Sequence, residues 1–225
     1  MSTIDADPDI VAAAAVVLSH WWSYPTQSEV ETWPDLVAVA ERVSRHLSGD
    51  DQAGASLPIP RAGDVDEMLA RYERLFVGPG PVPCPPYESC WRTDVVAYLR
   101  HSLMGPCIAD LLEIYRRLGL NLDPVAGELP DHVAVEFEAL AYAVSQADEG
   151  ANDGSGNNSA ATVGPDATRS LVEGHLSVWV PGFCHAVAEQ VHDGFYADLA
   201  AITLEWFARI QRAVETASAT SPEPH

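Results

Sequence analysis

Residues 130–147 read PDHVAVEFEALAYAVSQA, and this stretch decides the class of fold. The apolar residues that share one helical face are Val133, Phe137, Leu140, Ala141 and Val144. Further apolar residues widen this face, namely Val135, Ala139 and Tyr142. A helix that is apolar on most sides is buried inside a protein. We therefore predict a core helix that begins around Pro130 and Asp131 and ends at about Ala147.

Apolar residues recur at helical spacing in most other segments, and no long run of alternating β-branched residues argues for a sheet. Asp64 and Glu67 form a capping-box pattern, and Gly119 suits a left-handed helix end. We predict an all-α fold, a single globular helical bundle. Other helices are predicted over about 8–22, 64–76, 108–118, 167–179, 182–192 and 195–214. One more is predicted to start near Pro34, and another around Val95.

Two stretches break the helical pattern. Residues 77–89, VGPGPVPCPPYES, contain prolines and glycines that exclude both a helix and a central strand. Residues 148–166, DEGANDGSGNNSAATVGPD, predict a mobile linker inserted in the domain, because they hold little that could form a core. The predicted domain covers 1–216, with a disordered tail at 217–225.

The charge of the chain is strongly acidic. It has 33 acidic and 12 basic residues, a formal net charge of −21 and no lysine. This balance makes nucleic acid an unsuitable partner. A surface of such charge is best tolerated in strong salt, so we predict a salt-accumulating source.

The N-terminal segment predicts a cytoplasmic protein that is not a membrane protein. The apolar run from Val11 to Leu18 lacks a preceding basic region and is too short to cross a bilayer. The four cysteines, which form no CxxC pair, are predicted to be ordinary thiols. They are Cys84, Cys90, Cys107 and Cys184.

Catalytic signatures are absent: the sequence has no GxSxG, P-loop, GxGxxG or HExxH motif. His132 and Glu136 share one helical face, and His185, Glu189 and His192 share another, so either group could be part of a metal site. Such pairs are more often simple ion pairs. We predict no catalytic residue, no metal and no cofactor.

The start of the core helix has two interpretations. Asp131 could cap the free N–H groups of its own helix, so that Pro130, Asp131 and His132 only begin a core element. The same three residues could also form part of a binding site.

Three segments resemble the TorD/DmsD/NarJ family of redox-enzyme maturation chaperones. They are YERLFVGPGPVPCPPYES at 72–89, ELPDH at 128–132 and HLSVWVPGFCHAVAEQVHDGFYADLAAITLEWF at 175–207. The resemblance implies an all-helical chaperone that binds the twin-arginine signal peptide and the catalytic subunit of a molybdopterin oxidoreductase, such as a dimethyl sulfoxide or trimethylamine N-oxide reductase. It would prevent export before cofactor insertion.

The resemblance also implies peptide-binding residues, which are Tyr72, Leu75, Phe76, Pro86, Tyr87, Ser89, Pro130, Asp131 and His132. A receptor for two arginines followed by an apolar stretch needs an apolar groove with carboxylates near one end. Leu75, Phe76 and Tyr87 could line that groove. Alternatively, Tyr72, Leu75 and Phe76 could pack in the core, which we expect of at least one of them. The carboxylates that could face the arginines are Glu88, Asp131 and Glu136.

Three other functions are compatible with a helical fold. One is a metal-dependent hydrolase that uses a His/Glu face, and the second is a nucleotide-responsive switch, for which no phosphate-binding loop is visible. The third is an adaptor for assembled proteins. The sequence leaves the client and the oligomeric state open.

Overall fold

Helices form the regular structure of the residues that the computed structural model describes, which are 7–48, 59–61, 63–94, 103–122, 128–152 and 158–220. The α-helices are α1 (Pro8–Trp22), α2 (Gln27–Ser48), α3 (Val65–Tyr72), α4 (Glu88–Trp91), α5 (Cys107–Arg117), α6 (Val133–Asn152), α7 (Asn158–Arg169), α8 (Ser177–Gln190) and α9 (Phe195–Thr220). Two π-helical segments continue them: π1 (Glu73–Val77) follows α3, and π2 (Ser170–Leu176) joins α7 to α8. The all-α prediction is confirmed.

Local capping explains where several helices begin and end. Asp7 accepts a hydrogen bond from the Asp9 N–H at 3.1 Å, and Pro8 occupies the first turn of α1. Asp64 accepts one from the Glu67 N–H at 3.1 Å and starts α3 as predicted. Gly119, with φ of 75°, ends α5 in the left-handed conformation.

The prediction that a helix starts near Pro34 is wrong, because α2 begins at Gln27 and Pro34 lies inside it. The missed signal is a capping box just before Gln27. The Glu29 N–H donates to the Thr26 hydroxyl at 3.3 Å, and the Thr26 N–H donates to the Glu29 carboxylate at 3.2 Å.

Proline also fails to end the helix near the C-terminus. The predicted helices at 167–179 and 182–192 are parts of one continuous run formed by α7, π2 and α8, with Pro181 inside α8. A proline inside a helix costs about 3 kcal/mol. Burial of Trp179 and Phe183 offsets this cost, since each large apolar side chain contributes about 1.5–3 kcal/mol.

The predicted linker at 148–166 is also corrected. Its residues 148–152 continue α6 and 158–166 belong to α7, while 153–157 lie outside the described residues. Gly164 has the role of a packing residue: a Cβ there would lie 2.6 Å from the Ala147 nitrogen and 2.9 Å from the Ala143 oxygen. The missing side chain therefore lets α7 approach α6 closely.

Three smaller predictions also change, and a fourth lies outside the described residues. Of the predicted Pro-rich loop, Val77 ends π1 and Glu88 and Ser89 start α4, so irregular structure covers 78–87. The core helix begins at Val133, a little later than predicted. Residues 217–220 of the predicted tail belong to α9, and 221–225 lie outside the described part of the chain. So do 95–102, where a helix was predicted to resume.

One hydrophobic core joins the elements from α1 to α9. Helix α1 packs mainly on α6, and the Trp22 indole N–H donates to the Thr203 hydroxyl of α9 at 3.1 Å. Phe76 of π1 packs against both Trp22 and Phe183, with ring centroids 5.9 and 6.0 Å away. The four cysteines are buried, and none of them forms a disulfide. Within the described ranges, no helix is long and apolar enough to cross a membrane.

Replacing Gly164 with alanine should lower the free energy of unfolding by at least about 1 kcal/mol, because the new Cβ would contact backbone atoms that cannot move freely. Urea unfolding measures the change. The matched control is Gly174→Ala, where nothing lies within 4 Å of the added Cβ, so stability should not fall. Equal effects of the two substitutions would show that α6 and α7 do not pack closely.

Candidate functional site

The Pro-rich loop is attached to the start of α6 by a short antiparallel bridge between Tyr87 and His132. The Glu88 N–H donates to the Asp131 carbonyl at 2.9 Å, and the Val133 N–H donates to the Pro86 carbonyl at 2.9 Å. The Tyr115 hydroxyl of α5 donates to the Pro130 carbonyl at 2.8 Å. Backbone pairing thus joins two of the segments that carry the family resemblance.

Asp131 caps a helix, but not the one that was expected. Its Oδ2 accepts from the Ser89 N–H at 3.1 Å, so it caps the short helix α4 from outside and does not cap its own helix. The cap of α6 is His132, whose Nδ1 accepts from the Ala134 N–H at 3.2 Å. The Pro130–His132 turn therefore fixes both helix starts.

Glu88 is completely buried and forms the centre of an ion network. Its Oε1 lies 2.5 Å from Nη1 of Arg92, and its Oε2 lies 2.9 Å from Nδ1 of His175 in π2. Arg92 also pairs with Asp94 and donates to the Gly174 carbonyl at 3.1 Å. This network connects the end of the Pro-rich loop to the π2 segment.

Two further carboxylates are buried near Glu88, namely Asp131 and Glu136. Glu136 accepts from the Trp179 indole N–H at 3.3 Å, but one oxygen of each of the two carboxylates has no hydrogen-bond partner. Burial, and then repulsion from Glu88, raises the pKa of Glu136 well above its ordinary value. Burial likewise raises the pKa of Asp131. The fold therefore favours protonation of Glu136, which relieves repulsion among three buried acids.

Ten of the eleven residues expected to bind peptide are buried, and only Tyr87 is partly exposed. Tyr72, Leu75 and Phe76 pack in the core, with the Tyr72 and Phe76 ring centroids 4.9 Å apart. This placement differs from the expected open groove lined by Leu75 and Phe76. It also places the carboxylates of Glu88, Asp131 and Glu136 out of reach of a peptide on the surface. These residues support the surface from beneath.

The surface above these buried residues carries carboxylates beside aromatic rings, as a receptor for two arginines and an apolar stretch needs. We call it the acidic–aromatic patch; its members are Tyr24, Glu29, Glu73, Tyr87 and Glu128. The Tyr24 hydroxyl donates to Oε1 of Glu73 at 3.3 Å, and the Tyr24 side chain, 36% exposed, packs edge-on against Tyr72. Burial, and then repulsion from Glu29, raises the pKa of Glu128. Three carboxylates thus surround two partly exposed rings.

His132 lies directly below the patch. Burial lowers its pKa to about 3, so the ring is neutral, and its Nδ1 already accepts the Ala134 N–H. The ring proton therefore lies on Nε2, which is 3.5 Å from the Tyr72 hydroxyl and 3.8 Å from Oε2 of Glu128. His132 is a neutral donor that faces the patch.

The other candidate groups differ in their surroundings. His185, Glu189 and His192 are exposed on and just after α8. In the described part of the chain, no three His, Cys, Asp or Glu residues are placed to hold a metal ion. A cleft of about 510 Å³ lies between α5 and π2, and its charged lining mixes Arg92, Asp110, Glu113, Arg117, Arg169, Glu173 and His175.

Sequence reasoning missed four of the five patch residues. Glu128 could have been found, because it begins the ELPDH segment that carries the resemblance. Glu73 could have been found in the same way, because it lies in the YERLF segment. Tyr24 and Glu29 lie far earlier in the chain, and no spacing pattern connects them to the other patch residues. Only the packing of Tyr24 on Tyr72 brings these parts together.

Comparisons with known proteins give a family match from the sequence and a fold match from a solved structure. Residues 29–185 match the family model of the nitrate reductase delta subunit. A crystal structure described as a redox enzyme maturation protein from Archaeoglobus fulgidus has a similar fold, with a TM-score of 0.52 and 20% sequence identity. The similarity covers 91% of this chain and 93% of that chain. No curated protein sequence gives a significant match.

The family match covers both the Pro-rich loop and the ELPDH segment, on which the resemblance in the sequence rests. It also argues against the metal-dependent hydrolase, because members of this family are chaperones and not catalysts. The chain belongs to the nitrate reductase delta subunit family of molybdoenzyme maturation chaperones.

Proposed function

We propose that the chain is a cytoplasmic chaperone that binds the twin-arginine signal peptide of a molybdopterin oxidoreductase of the dimethyl sulfoxide or trimethylamine N-oxide reductase type. It holds this client for cofactor insertion before export. The observation that carries the proposal is the acidic–aromatic patch, which lies over the loop and the turn shared with the family.

Within the described ranges, the carboxylates of the patch have no cation of their own. Among the residues that the structure describes, Glu29, Glu73 and Glu128 form no ion pair with an arginine. Glu128 also contacts His132, but the histidine ring is neutral and supplies no positive charge. An arriving guanidinium would form charge-assisted hydrogen bonds with these carboxylates and could stack on Tyr24 or Tyr87.

Apolar surface continues from the carboxylates. Val77 is 54% exposed and lies one helical turn after Glu73, on the same face of π1. The partly buried Val82 of the Pro-rich loop lies close to the nearby Gly78. This arrangement matches a peptide whose arginines precede an apolar stretch. In molar salt, charges are screened beyond about 3 Å, so apolar burial on this side would supply most of the affinity.

The direct test is calorimetric titration of a synthetic signal peptide with two arginines before its apolar stretch, compared with the same peptide carrying two alanines. Removing charge-assisted hydrogen bonds costs about 1.5–3 kcal/mol each, so the twin-alanine peptide should bind at least about tenfold more weakly. Glu128→Gln should reduce this difference. The matched control Glu113→Gln, whose carboxylate is about half exposed (51%) and lies on α5, should leave it unchanged. Equal affinity for both peptides would reject the proposal.

The identity of the client is tested separately. The matched family is named for nitrate reductase, whereas the resemblance in the sequence suggests a dimethyl sulfoxide or trimethylamine N-oxide reductase. Co-purification from the native host, followed by identification of the bound catalytic subunit, decides between these reductases. A client without a molybdopterin cofactor would contradict the proposed function.

A further inference from the structure

We infer that the two arginines of a bound peptide occupy unequal positions on the acidic–aromatic patch. An inner position at Glu128 and Glu29 requires arginine, and an outer position at Glu73 and Tyr24 also accepts lysine. This inference rests on the proposed function and adds to it the selectivity of each position.

The inner position is partly withdrawn from water. The Glu128 side chain is 37% exposed, and Nε2 of the buried His132 lies 3.8 Å from its Oε2. Glu29 is also partly buried, and its capping bonds to Thr26 hold its carboxylate in place. Repulsion from Glu29 helps to raise the pKa of Glu128, so the two carboxylates lie near each other. Such a pair suits the planar, forked guanidinium, which gives up its weakly held water more readily than an ammonium does.

The outer position is open to solvent. Glu73 is exposed, and its one described side-chain partner is the Tyr24 hydroxyl at 3.3 Å. An ion pair formed there leaves both partners hydrated, so the shape of the cation matters little. Lysine and arginine should therefore bind this carboxylate almost equally.

A pair of tyrosine rings lies between the two positions. The Tyr24 ring, whose hydroxyl contacts Glu73, packs at a centroid distance of 5.2 Å on Tyr72. The Tyr72 hydroxyl in turn lies 3.5 Å from Nε2 of His132, which faces the inner position. Each of two neighbouring cationic side chains can therefore reach its own carboxylate, and the two carboxylates do not compete for one arginine.

The test uses four synthetic signal peptides that carry Arg-Arg, Lys-Arg, Arg-Lys or Lys-Lys at the paired position, titrated into the wild-type protein. One of the two single-lysine peptides should bind at least tenfold more weakly than the Arg-Arg peptide, and the other less than threefold more weakly. Glu128→Gln should abolish the discrimination at the sensitive position. Glu73→Gln, the matched control, should leave that discrimination intact. Circular dichroism verifies that each variant is folded.

The outcomes distinguish the two claims. Equal losses for the Lys-Arg and Arg-Lys peptides, or a discrimination that survives Glu128→Gln, would overturn the unequal positions while leaving the proposed function in place. If the Arg-Arg peptide binds no better than a twin-alanine peptide, the proposed function fails, and the inference fails with it.

Discussion

Replacing Glu88 with alanine is expected to lower the free energy of unfolding by about 3 kcal/mol, because one partner of a buried ion network is removed while the others stay. Arg92, whose side chain is only 16% exposed, and the buried His175 would lose their shared carboxylate. Relief of repulsion between Glu88 and Glu136 offsets little of this loss, since the raised pKa of Glu136 already favours its neutral form.

The matched control is Glu113→Ala. Glu113 also pairs with an arginine, Arg116, at 2.8 Å, but its side chain is 51% exposed. Exposed pairs contribute at most about 1 kcal/mol. Urea unfolding at constant salt measures both variants. Similar losses for Glu88→Ala and Glu113→Ala would contradict the central position of Glu88 in the buried network.

Substituting His132 with glutamine is expected to make the protein less sensitive to acid. Burial lowers the pKa of His132 from its ordinary 6.5 to about 3. Between these two values the unfolded chain binds a proton that the folded protein excludes, so stability falls as the pH falls. A difference of this size corresponds to about 5 kcal/mol over the whole interval, which the glutamine variant would not lose.

Three buried or partly buried acids act in the opposite direction. Burial raises the pKa values of Asp131, Glu136 and Glu128, so each favours the folded state more as the pH falls through the interval between its raised and its ordinary pKa. These contributions are present in both proteins and largely cancel in the comparison. The quantity to measure is the slope of unfolding free energy against pH from about 7 to 3. Equal slopes would show that His132 is not held neutral.

The sequence predicted the fold class and several boundaries because the signals involved are local. Helix α1 was placed at its observed ends by Pro8 and the apolar run up to Trp22. The Asp64 cap and the Gly119 end depend only on residues within one turn, and both are observed. Core helix α6 was found from its apolar face.

The errors arose where distant contacts override local preference. Pro34 and Pro181 lie inside helices since burial of neighbouring aromatic residues outweighs one missing hydrogen bond. Gly164 was taken for part of a linker, although its lack of a side chain permits the contact between α6 and α7. Composition cannot distinguish a glycine that breaks a helix from one that allows two helices to meet.

The sequence named the buried residues beneath the candidate site and, of the five patch residues, only Tyr87. The sequence identified the Pro-rich loop and the Pro130–His132 turn, which the structure joins through the Tyr87–His132 bridge. It could not reveal that Glu88 and Asp131 are buried, because burial of a carboxylate depends on partners such as His175 in π2. The carboxylates that remain at the surface, the exposed Glu73 and the partly buried Glu29 and Glu128, are brought together only by the fold.

Photo-crosslinking tests most directly whether the client peptide binds at the acidic–aromatic patch. A twin-arginine signal peptide with a benzoylphenylalanine just after its arginines is irradiated with the protein, and the modified residues are identified by mass spectrometry. The structure predicts crosslinks to Val77 and to residues 78–87 of the Pro-rich loop, and their loss when the arginines are replaced by alanine. Crosslinks concentrated at the cleft between α5 and π2, around Asp110 and Glu173, would contradict this location.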